Sequence, residues 1–307
     1  MNPPRGYRDT QDLAAMLDVL VNGRKADNGS YYVHVGDLKW WLYYPPLEGA
    51  FWDHIHLWDD PKREGRLLGW ALISPDWVGF DVYVQPELRG SDLAEAMYIW
   101  AEEQAMGIAR EKGKSTIYML WGMHDDDVLA RHFRQREYRL RRGYVHFMRE
   151  LDDTLSIGNV PEGFVVRACQ GEAELTAKAK AQYGAFGSSA AFADYEQRYR
   201  NFMRSPVYDP ELDIVAVAQD GRIGAFCIVW PDPVNKVGLF EPVGTHPDFQ
   251  RKGLGKAVML EGLRRLKHLG MKNAIVSTFE DNLGGIKFYK AMGFQTVFRL
   301  GTYEKDV

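Results

Sequence analysis

The sequence predicts an α+β fold, a mixed and mostly antiparallel sheet with flanking helices, arranged as two tandem domains of one kind. The chain has 307 residues, enough for two domains that each bury a core. One order of elements, namely strand, helix, antiparallel strands, helix, strand, helix and strand, occurs twice at a spacing of about half the chain. Residues 152–163 between the two copies are polar and rich in glycine and proline, as is typical of a linker. We therefore predict domains over residues 1–151 and 164–307.

The first copy begins with a short strand at Gly6 and a helix over residues 10–21, where leucines recur at helical spacing. Residues 31–44 are rich in aromatic side chains and show no clear period. Apolar strands and capped helices are predicted over the remainder, namely strands 51–58, 66–73 and 78–84, helix 91–112, strand 116–121, a helix capped by Asp125, Asp126 and Asp127 and ending at Gln135, and strand 144–151.

The second copy repeats this order. Asp220 and Gly221 lie between two apolar segments and predict a hairpin. The predicted elements are strand 164–167, helices 172–183 and 194–203, strands 212–218, 223–230 and 237–245, helix 254–269, strand 274–278, helix 283–292 and strand 295–303.

Composition excludes several classes of protein. The net charge of −4 leaves no basic surface of the kind that binds nucleic acid. No apolar stretch approaches eighteen residues and the first ten residues are polar, so we expect no membrane span and no signal peptide. Two cysteines, Cys169 and Cys227, suggest neither a disulfide framework nor a metal cluster. We expect a cytoplasmic protein, whose oligomeric state the sequence leaves open.

Residues 243–256 predict an anion-binding loop. A strand ends at Pro247, and Gly253 and Gly255 then lead into a helix. Glycines let a ligand approach the backbone, and the unpaired amides of the first helical turn attract phosphate. Lys252 and Lys256 add positive charge. The alternative is an ordinary strand–turn–helix junction in which the glycines serve only as a packing contact.

Two common phosphate-binding motifs do not match the residues of this segment. A Walker loop requires a glycine where Gln250 stands and a serine or threonine where Ala257 stands. The dinucleotide fingerprint requires glycine or alanine where Val258 stands. The pattern Gln250-x-x-Gly253-x-Gly255 instead resembles the Gln/Arg-x-x-Gly-x-Gly/Ala motif of the GNAT superfamily of acetyl-CoA-dependent N-acetyltransferases.

The resemblance covers most of the chain and is similar to the tandem group of that superfamily that includes mycothiol synthase. It implies that the loop amides hold the pyrophosphate of coenzyme A and that the preceding strand holds the pantetheine arm. The residues it assigns to the coenzyme are Val243, Gly244, Thr245, Gln250, Arg251, Lys252, Gly253, Leu254, Gly255, Lys256, Asn282 and Phe288. Asn282 could alternatively only cap its helix.

The first copy departs from this motif. When Pro86 is aligned with Pro247, Asp92 replaces Gly253, and its carboxylate would repel a pyrophosphate. Phe133 stands where the second copy has Tyr289, and phenylalanine has no proton to donate. We therefore predict a degenerate first domain that supports or shapes the substrate cleft of a catalytic second domain.

The expected catalytic residues are Glu241 and Tyr289. Counting by two along the strand places Glu241 on one face with Val243 and Thr245. In the group that the chain resembles, the acidic residue lies two positions earlier, where this chain has Leu239. By the same count, Leu239 lies on the same face as Glu241. Glu241 is our candidate general base, with a substrate-binding or structural role as the alternative. Tyr289 matches the tyrosine that the family commonly uses to protonate the departing thiolate, with simple packing as the alternative.

These residues predict direct transfer of an acetyl group from acetyl-CoA to a primary amine, which we expect to belong to a small metabolite. The alternatives are a protein or peptide N-acetyltransferase and a non-catalytic sensor that binds acyl-CoA. The reaction needs no metal, so we expect none at His54 and His56. Eight of the nine tryptophans lie in the first copy, where they could line a groove or pack a core.

Overall fold

The architecture was obtained as a computed structural model that describes residues 3–27, 29, 32–44, 51–123, 127–152, 159–188 and 190–307. The predicted capping residues Asp125 and Asp126, and residues 153–158 of the predicted linker, lie outside these ranges. The helices are α1 Thr10–Ala26, α2 Val35–Tyr43, α3 Asp92–Glu111, α4 Asp127–Gln135, α5 Leu175–Phe186, α6 Phe192–Met203, α7 Leu254–His268 and α8 Leu283–Ala291. The strands are β1 Arg5–Gly6, β2 Ile55–Asp59, β3 Leu67–Ser74, β4 Gly79–Val84, β5 Thr116–Met123, β6 Arg139–Glu150, β7 Phe164–Ala168, β8 Asp213–Ala218, β9 Ile223–Asp232, β10 Val237–Thr245, β11 Asn273–Phe279 and β12 Gln295–Asp306.

Within the residues that the structure describes, the strands join into one 12-stranded sheet in the order β1-β2-β3-β4-β5-β12-β6-β11-β10-β9-β8-β7. Neighbouring strands are antiparallel except for two pairs, β4 with β5 and β10 with β11. Each parallel pair is joined by a crossover helix, α3 in the first half and α7 in the second. The predicted α+β class is therefore confirmed.

The two halves exchange their last strands. β6, from the first half, lies between β11 and β12, and β12, from the second half, lies between β5 and β6. The register pairs Met148 of β6 with Ile275 of β11, and Leu300 of β12 with both Tyr144 of β6 and Met123 of β5. Backbone hydrogen bonding is consequently continuous from one half to the other. The domain boundaries that we place at 151 and 164 remain a prediction.

Helices cover both faces of the second half's sheet. Core side chains of α7 and α8 pack on one face with residues such as Phe240 and Val276. Side chains of α5 and α6 pack on the opposite face, together with Trp40 from α2. The first half therefore contributes a helix to the second half's core.

Helix α2 lies in the segment for which the sequence showed no period. Val35, Leu38 and Leu42 are buried in the first half's core, whereas Trp40 is buried in the second half's core. A helix that buries two faces has no single apolar stripe, which explains the missing pattern. His34 begins the helix in a reciprocal cap with Asp37.

Four other predicted boundaries were wrong. Helix α1 continues five residues beyond its predicted end, to Ala26, and α5 is shifted toward Phe186. Residues 51–54 form a 3-10 turn rather than strand, so β2 begins at Ile55. Strand β6 begins at Arg139 because its first residues pair with the exchanged strand β12, a partner that local sequence does not reveal.

Candidate active site

Strands β10 and β11 separate at one end. They pair in parallel through Phe240 and Val276, whereas β11 continues to Phe279 without β10 as its neighbour. β10 itself stays paired with β9 as far as Thr245. The divergence leaves an opening between two adjacent strands, in the place where the family resemblance implies one.

An irregularity in β10 lies at this opening. Phe240 pairs with Val229 and Val243 pairs with Cys227, so β10 carries one more residue than β9 across this interval. Both β9 partners are buried on the α7–α8 face, and Val243 packs there too, whereas Leu239 is buried on the opposite face. The prediction that Leu239 and Val243 share a face was wrong, because counting by two assumes an unbroken pleat.

Glu241 lies within this irregularity. Its backbone carbonyl accepts a hydrogen bond of 2.6 Å from Trp230 Nε1. The side chain is partly exposed, yet its burial among protein atoms raises the pKa of the carboxyl to about 8, and the nearby carboxyl of Asp37 acts in the same direction. The group therefore exchanges its proton close to neutral pH, as a general base must.

Tyr289 lies on α8, with 8% of its surface exposed. Its ring packs against Phe147 and Phe294, with centroid distances of 5.8 and 6.2 Å. Burial raises the pKa of the phenol, and the negative charge of Glu241 raises it further. The structure thus brings the two predicted catalytic side chains within electrostatic range of each other and keeps the phenol protonated.

The glycine loop has the backbone that an anion site requires. Gly253 adopts φ 82° immediately before α7, a conformation that other residues rarely adopt, and no side chain caps the first turn. A side chain added at Gly255 would place its Cβ 3.1 Å from Thr245 Oγ1 and 3.6 Å from the Phe288 ring. The loop and the end of β10 therefore approach each other closely only because position 255 is glycine.

The remaining predicted loop residues divide by exposure. Leu254 is buried in the core, so only its backbone amide can face a ligand. Lys252 is exposed and its ammonium lies 5.2 Å from the centroid of Phe249. Three more polar side chains of the loop are also exposed, those of Gln250, Arg251 and Lys256. The loop surface is consequently positive.

Two other predicted contacts lie on α8. Asn282 caps this helix, since its Oδ1 accepts a 3.0 Å hydrogen bond from the Gly285 amide while its Nδ2 donates to Thr278 Oγ1 at 2.9 Å. Asn282 therefore caps α8, and its contact with the coenzyme stays a prediction. Phe288 is partly exposed and lies between the loop and Tyr289, 5.5 Å from the tyrosine ring.

Sequence reasoning missed two residues near Glu241, and both belong to the first half. Asp37 projects from α2, and burial raises its pKa to about 6. Tyr144 lies on the exchanged strand β6, where burial raises its pKa and Glu241 contributes to the same shift. Their proximity depends on chain exchange and on packing between halves, so no local sequence signal could reveal it.

The corresponding loop of the first half is built differently. Both terminal nitrogens of Arg89 donate to the Asp27 carboxylate at 2.6 Å. Ser91 caps α3 by accepting a 3.3 Å bond from the Ala94 amide, and Asp92 is exposed in the first turn. Phe133 is buried, with 2% of its surface exposed. Arg89 and Phe133 therefore have structural contacts in the first half.

Membrane-spanning helices and metal-binding clusters are both absent from the described ranges. None of the helices there is long and apolar enough to span a membrane. Within the same ranges, no group of three or more histidine, cysteine, aspartate or glutamate side chains could hold a metal ion.

Comparison with known proteins agrees with this geometry. Residues 177–294 match the profile of the Acetyltransferase (GNAT) family. The chain is 27% identical over 270 residues to a mycothiol acetyltransferase of Streptomyces bingchenggensis, covering 83% of this chain and 80% of that protein. It is 27% identical over 247 residues to a mycothiol acetyltransferase of Thermomonospora curvata, covering 76% of each.

Solved structures show the same fold over almost the whole chain. A tandem GNAT protein from the clavulanic acid biosynthesis pathway matches with a TM-score of 0.70 at 17% identity, covering 99% of this chain and 97% of that one. A GCN5-related N-acetyltransferase from Sphaerobacter thermophilus matches with a TM-score of 0.66 at 21% identity, covering 98% and 94%. The second half therefore carries the match to the Acetyltransferase (GNAT) family, and the whole chain has the fold of a tandem GNAT protein of known structure.

Proposed function

We propose that the chain transfers the acetyl group of acetyl-CoA directly to a primary amine of a small molecule. The observation that carries the proposal is the opening between β10 and β11, where Glu241 lies within electrostatic range of Tyr289. A base and an acid are thus available at one place, each with a proton affinity suited to its step.

The glycine loop is the proposed site for the coenzyme's pyrophosphate. The backbone at Gly253, the close approach at Gly255 and the first-turn amides of α7 fit a phosphate group. The exposed cations of the loop would balance its charge. Acetyl-CoA, when bound, supplies the activated thioester. The residues proposed to contact it are Val243, Gly244, Thr245, Gln250, Arg251, Lys252, Gly253, Leu254, Gly255, Lys256, Asn282 and Phe288.

The end of β10 is the proposed source of charge stabilisation. Residues 243–245 pair with β9 on one side only, so the backbone groups directed toward β11 are available to the pantetheine arm and the thioester carbonyl. Leu254 contributes in a different way, through its amide alone, because its side chain fills the core.

The two side chains divide the proton transfers. Glu241 removes a proton from the ammonium, for which a pKa of about 8 is well matched, and the neutral amine then attacks the thioester carbonyl. The nitrogen releases its second proton to solvent as the carbon–sulfur bond breaks. Tyr289 keeps its proton at neutral pH and donates it to the departing sulfur. Solvent then returns a proton to the phenolate, so that the tyrosine can act as a donor again. The amine nitrogen gains the acetyl group, and the coenzyme leaves as a free thiol.

A small acceptor is favoured by the way the first half covers this region. Helix α2 packs on β9 and β10 so tightly that a Cβ at Gly36 would overlap the Trp230 side chain. Asp37 on the same helix lies close to Glu241. The name of the curated relatives, mycothiol acetyltransferase, also supports a small molecule. We further propose a supporting first half over residues 1–151, a catalytic second half over 164–307, and a cytoplasmic location.

A panel of acceptors tests the proposal, with thiol release from acetyl-CoA as the readout. Small primary amines should support turnover, whereas lysine-containing peptides should not. Turnover of peptides alone would indicate a protein acetyltransferase, and coenzyme binding without turnover of any acceptor would indicate a sensor.

A further inference from the structure

Four aromatic side chains form a continuous row across the junction of the two halves. The row comprises Trp41 on α2, Trp121 on β5, Tyr144 on β6 and Phe279 on β11. Successive ring centroids are 5.3, 4.7 and 4.5 Å apart, and the planes of neighbouring rings differ by 27°, 31° and 36°. Neighbouring rings are therefore stacked or tilted against one another along the row.

The row packs against a core at one end, where Trp41 and Trp121 contact the first half's hydrophobic cluster, but not at the other. All four side chains are partly exposed. Tyr144 and Phe279 belong to none of the hydrophobic clusters formed by the described residues. By contrast, Trp70 of the same sheet is completely buried. A contiguous apolar surface that remains accessible to solvent is typical of a binding site.

The row lies on the face of the sheet opposite the glycine loop. On β11, Phe279 alternates with Val276, which is buried against α7 and α8, and so shares the face of Ile275, which is buried against α5 and α6. On β6, Tyr144 likewise shares a face with His146 rather than with Val145 and Phe147. A coenzyme held by the loop and α8 therefore leaves this second face to the acceptor.

The row also meets the proposed reaction centre. Tyr144 is the member whose hydroxyl lies within electrostatic range of Glu241. Asp37 precedes Trp41 by one helical turn on α2, so both project from one side of that helix. At the far end, the Arg142 guanidinium lies 3.3 Å from the Phe279 ring centroid and pairs with Asp281 at 2.9 Å.

We propose that this aromatic row is the acceptor subsite and that the acceptor is a primary amine carrying a ring. The proposal rests on the proposed function and adds the class of substrate. The amine lies at Glu241 and Asp37, and the apolar face of the ring contacts the aromatic side chains. Both an aromatic ring and a sugar ring present such a face.

Kinetics with matched amines test the assignment. 2-Phenylethylamine is compared with open-chain octylamine, and glucosamine with the open-chain alditol obtained from it by reduction. The ring-bearing member should have the higher kcat/KM in at least one pair, and the pair that shows the preference identifies the kind of ring. Phe279→Leu should reduce that preference about three- to tenfold without changing the KM for acetyl-CoA. Trp77→Leu is the control, since Trp77 is 62% exposed and outside the row.

Equal kcat/KM within both pairs would overturn the assignment, as would an equal loss for both members of a pair in Phe279→Leu. If no amine is acetylated, the proposed function fails and the subsite is judged by binding alone. Quenching of tryptophan fluorescence by the same four amines then provides the readout. Tighter binding of ring-bearing amines, weakened by Phe279→Leu, supports the subsite. Equal binding of ring-bearing and open-chain amines, or binding that Phe279→Leu leaves unchanged, contradicts it.

Discussion

Glu241 and Tyr289 acquire their proposed roles from their surroundings. Burial raises the pKa of both groups, but from different starting points. The carboxyl reaches about 8, where it can give up and regain a proton near neutral pH. The phenol moves further from neutrality and stays protonated. Burial raises both pKa values, yet it leaves the carboxyl able to act as a base near neutral pH and the phenol able to act as an acid.

Glu241→Gln should lower kcat/KM by about 10²- to 10⁴-fold, because the amide cannot accept the ammonium proton. The carboxylate form of Glu241 increases with pH, so the wild-type rate should rise as pH approaches 8 and then level off. The variant should lack this rise. Glu150→Gln, at an exposed position, is the control. A rise of the same size in both variants would exclude Glu241 as the base.

Tyr289→Phe should lower kcat about a hundredfold while leaving the Kd for acetyl-CoA unchanged. The substitution removes only a hydroxyl, so packing against Phe147 and Phe294 is kept. Steady-state kinetics and coenzyme titration of the same preparation provide the two readouts. An unchanged kcat would assign the tyrosine to packing alone.

At the scale of residues, sequence spacing was informative where the chemistry is local. The positions of Gly253, Gly255 and Tyr289 could be predicted because a loop and one helix carry them. Asp37 and Tyr144 could not, because each reaches Glu241 from more than ninety residues away in the chain.

At the scale of elements, α2 shows how tertiary packing can hide a helix from sequence reasoning. It buries side chains in both halves and so lacks the periodicity by which α1 and α7 were predicted. The irregularity in β10 had a similar effect on strand reasoning. Pro242, which has no backbone N–H, marks the irregularity in the sequence, but counting by two along the strand takes no account of it.

Gly36→Ala should destabilise the protein by about 1–3 kcal/mol, since the added Cβ would overlap Trp230 and push α2 away from β9. The KM for the amine should rise, because α2 carries Asp37, whereas acetyl-CoA binding should persist. Gly107→Ala is a matched control within α3, where a Cβ meets nothing within 4 Å, and should stabilise by up to about 1 kcal/mol. Urea unfolding measures both changes. Equal and favourable effects would mean that α2 does not pack as described.

At the scale of the whole molecule, strand exchange makes the halves interdependent. Each half's sheet contains a strand from the other, so neither can form all its backbone hydrogen bonds alone. The repeated order of elements predicted the tandem architecture correctly. The exchange could not be predicted, because β6 and β12 occupy equivalent places in the two copies and local pattern permits either pairing.

Residues 159–307 expressed alone should therefore fail to fold, and co-expression with residues 1–152 should restore soluble protein. The intact chain should unfold in one calorimetric transition because the sheet is continuous. Two well-separated transitions, or a folded second half by itself, would contradict this interdependence.

Calorimetric titration with acetyl-CoA tests whether the glycine loop before α7 binds the coenzyme. The titration compares the wild type with Gly253→Asp and Gly270→Asp. Both glycines have positive φ, 82° and 79°, and lie at opposite ends of α7, so the variants share backbone strain and added charge. We expect one equivalent to bind to the wild type and to Gly270→Asp, and none to bind to Gly253→Asp. Binding by Gly253→Asp equal to that of the wild type, or no binding by the wild type, would show that the coenzyme site lies elsewhere.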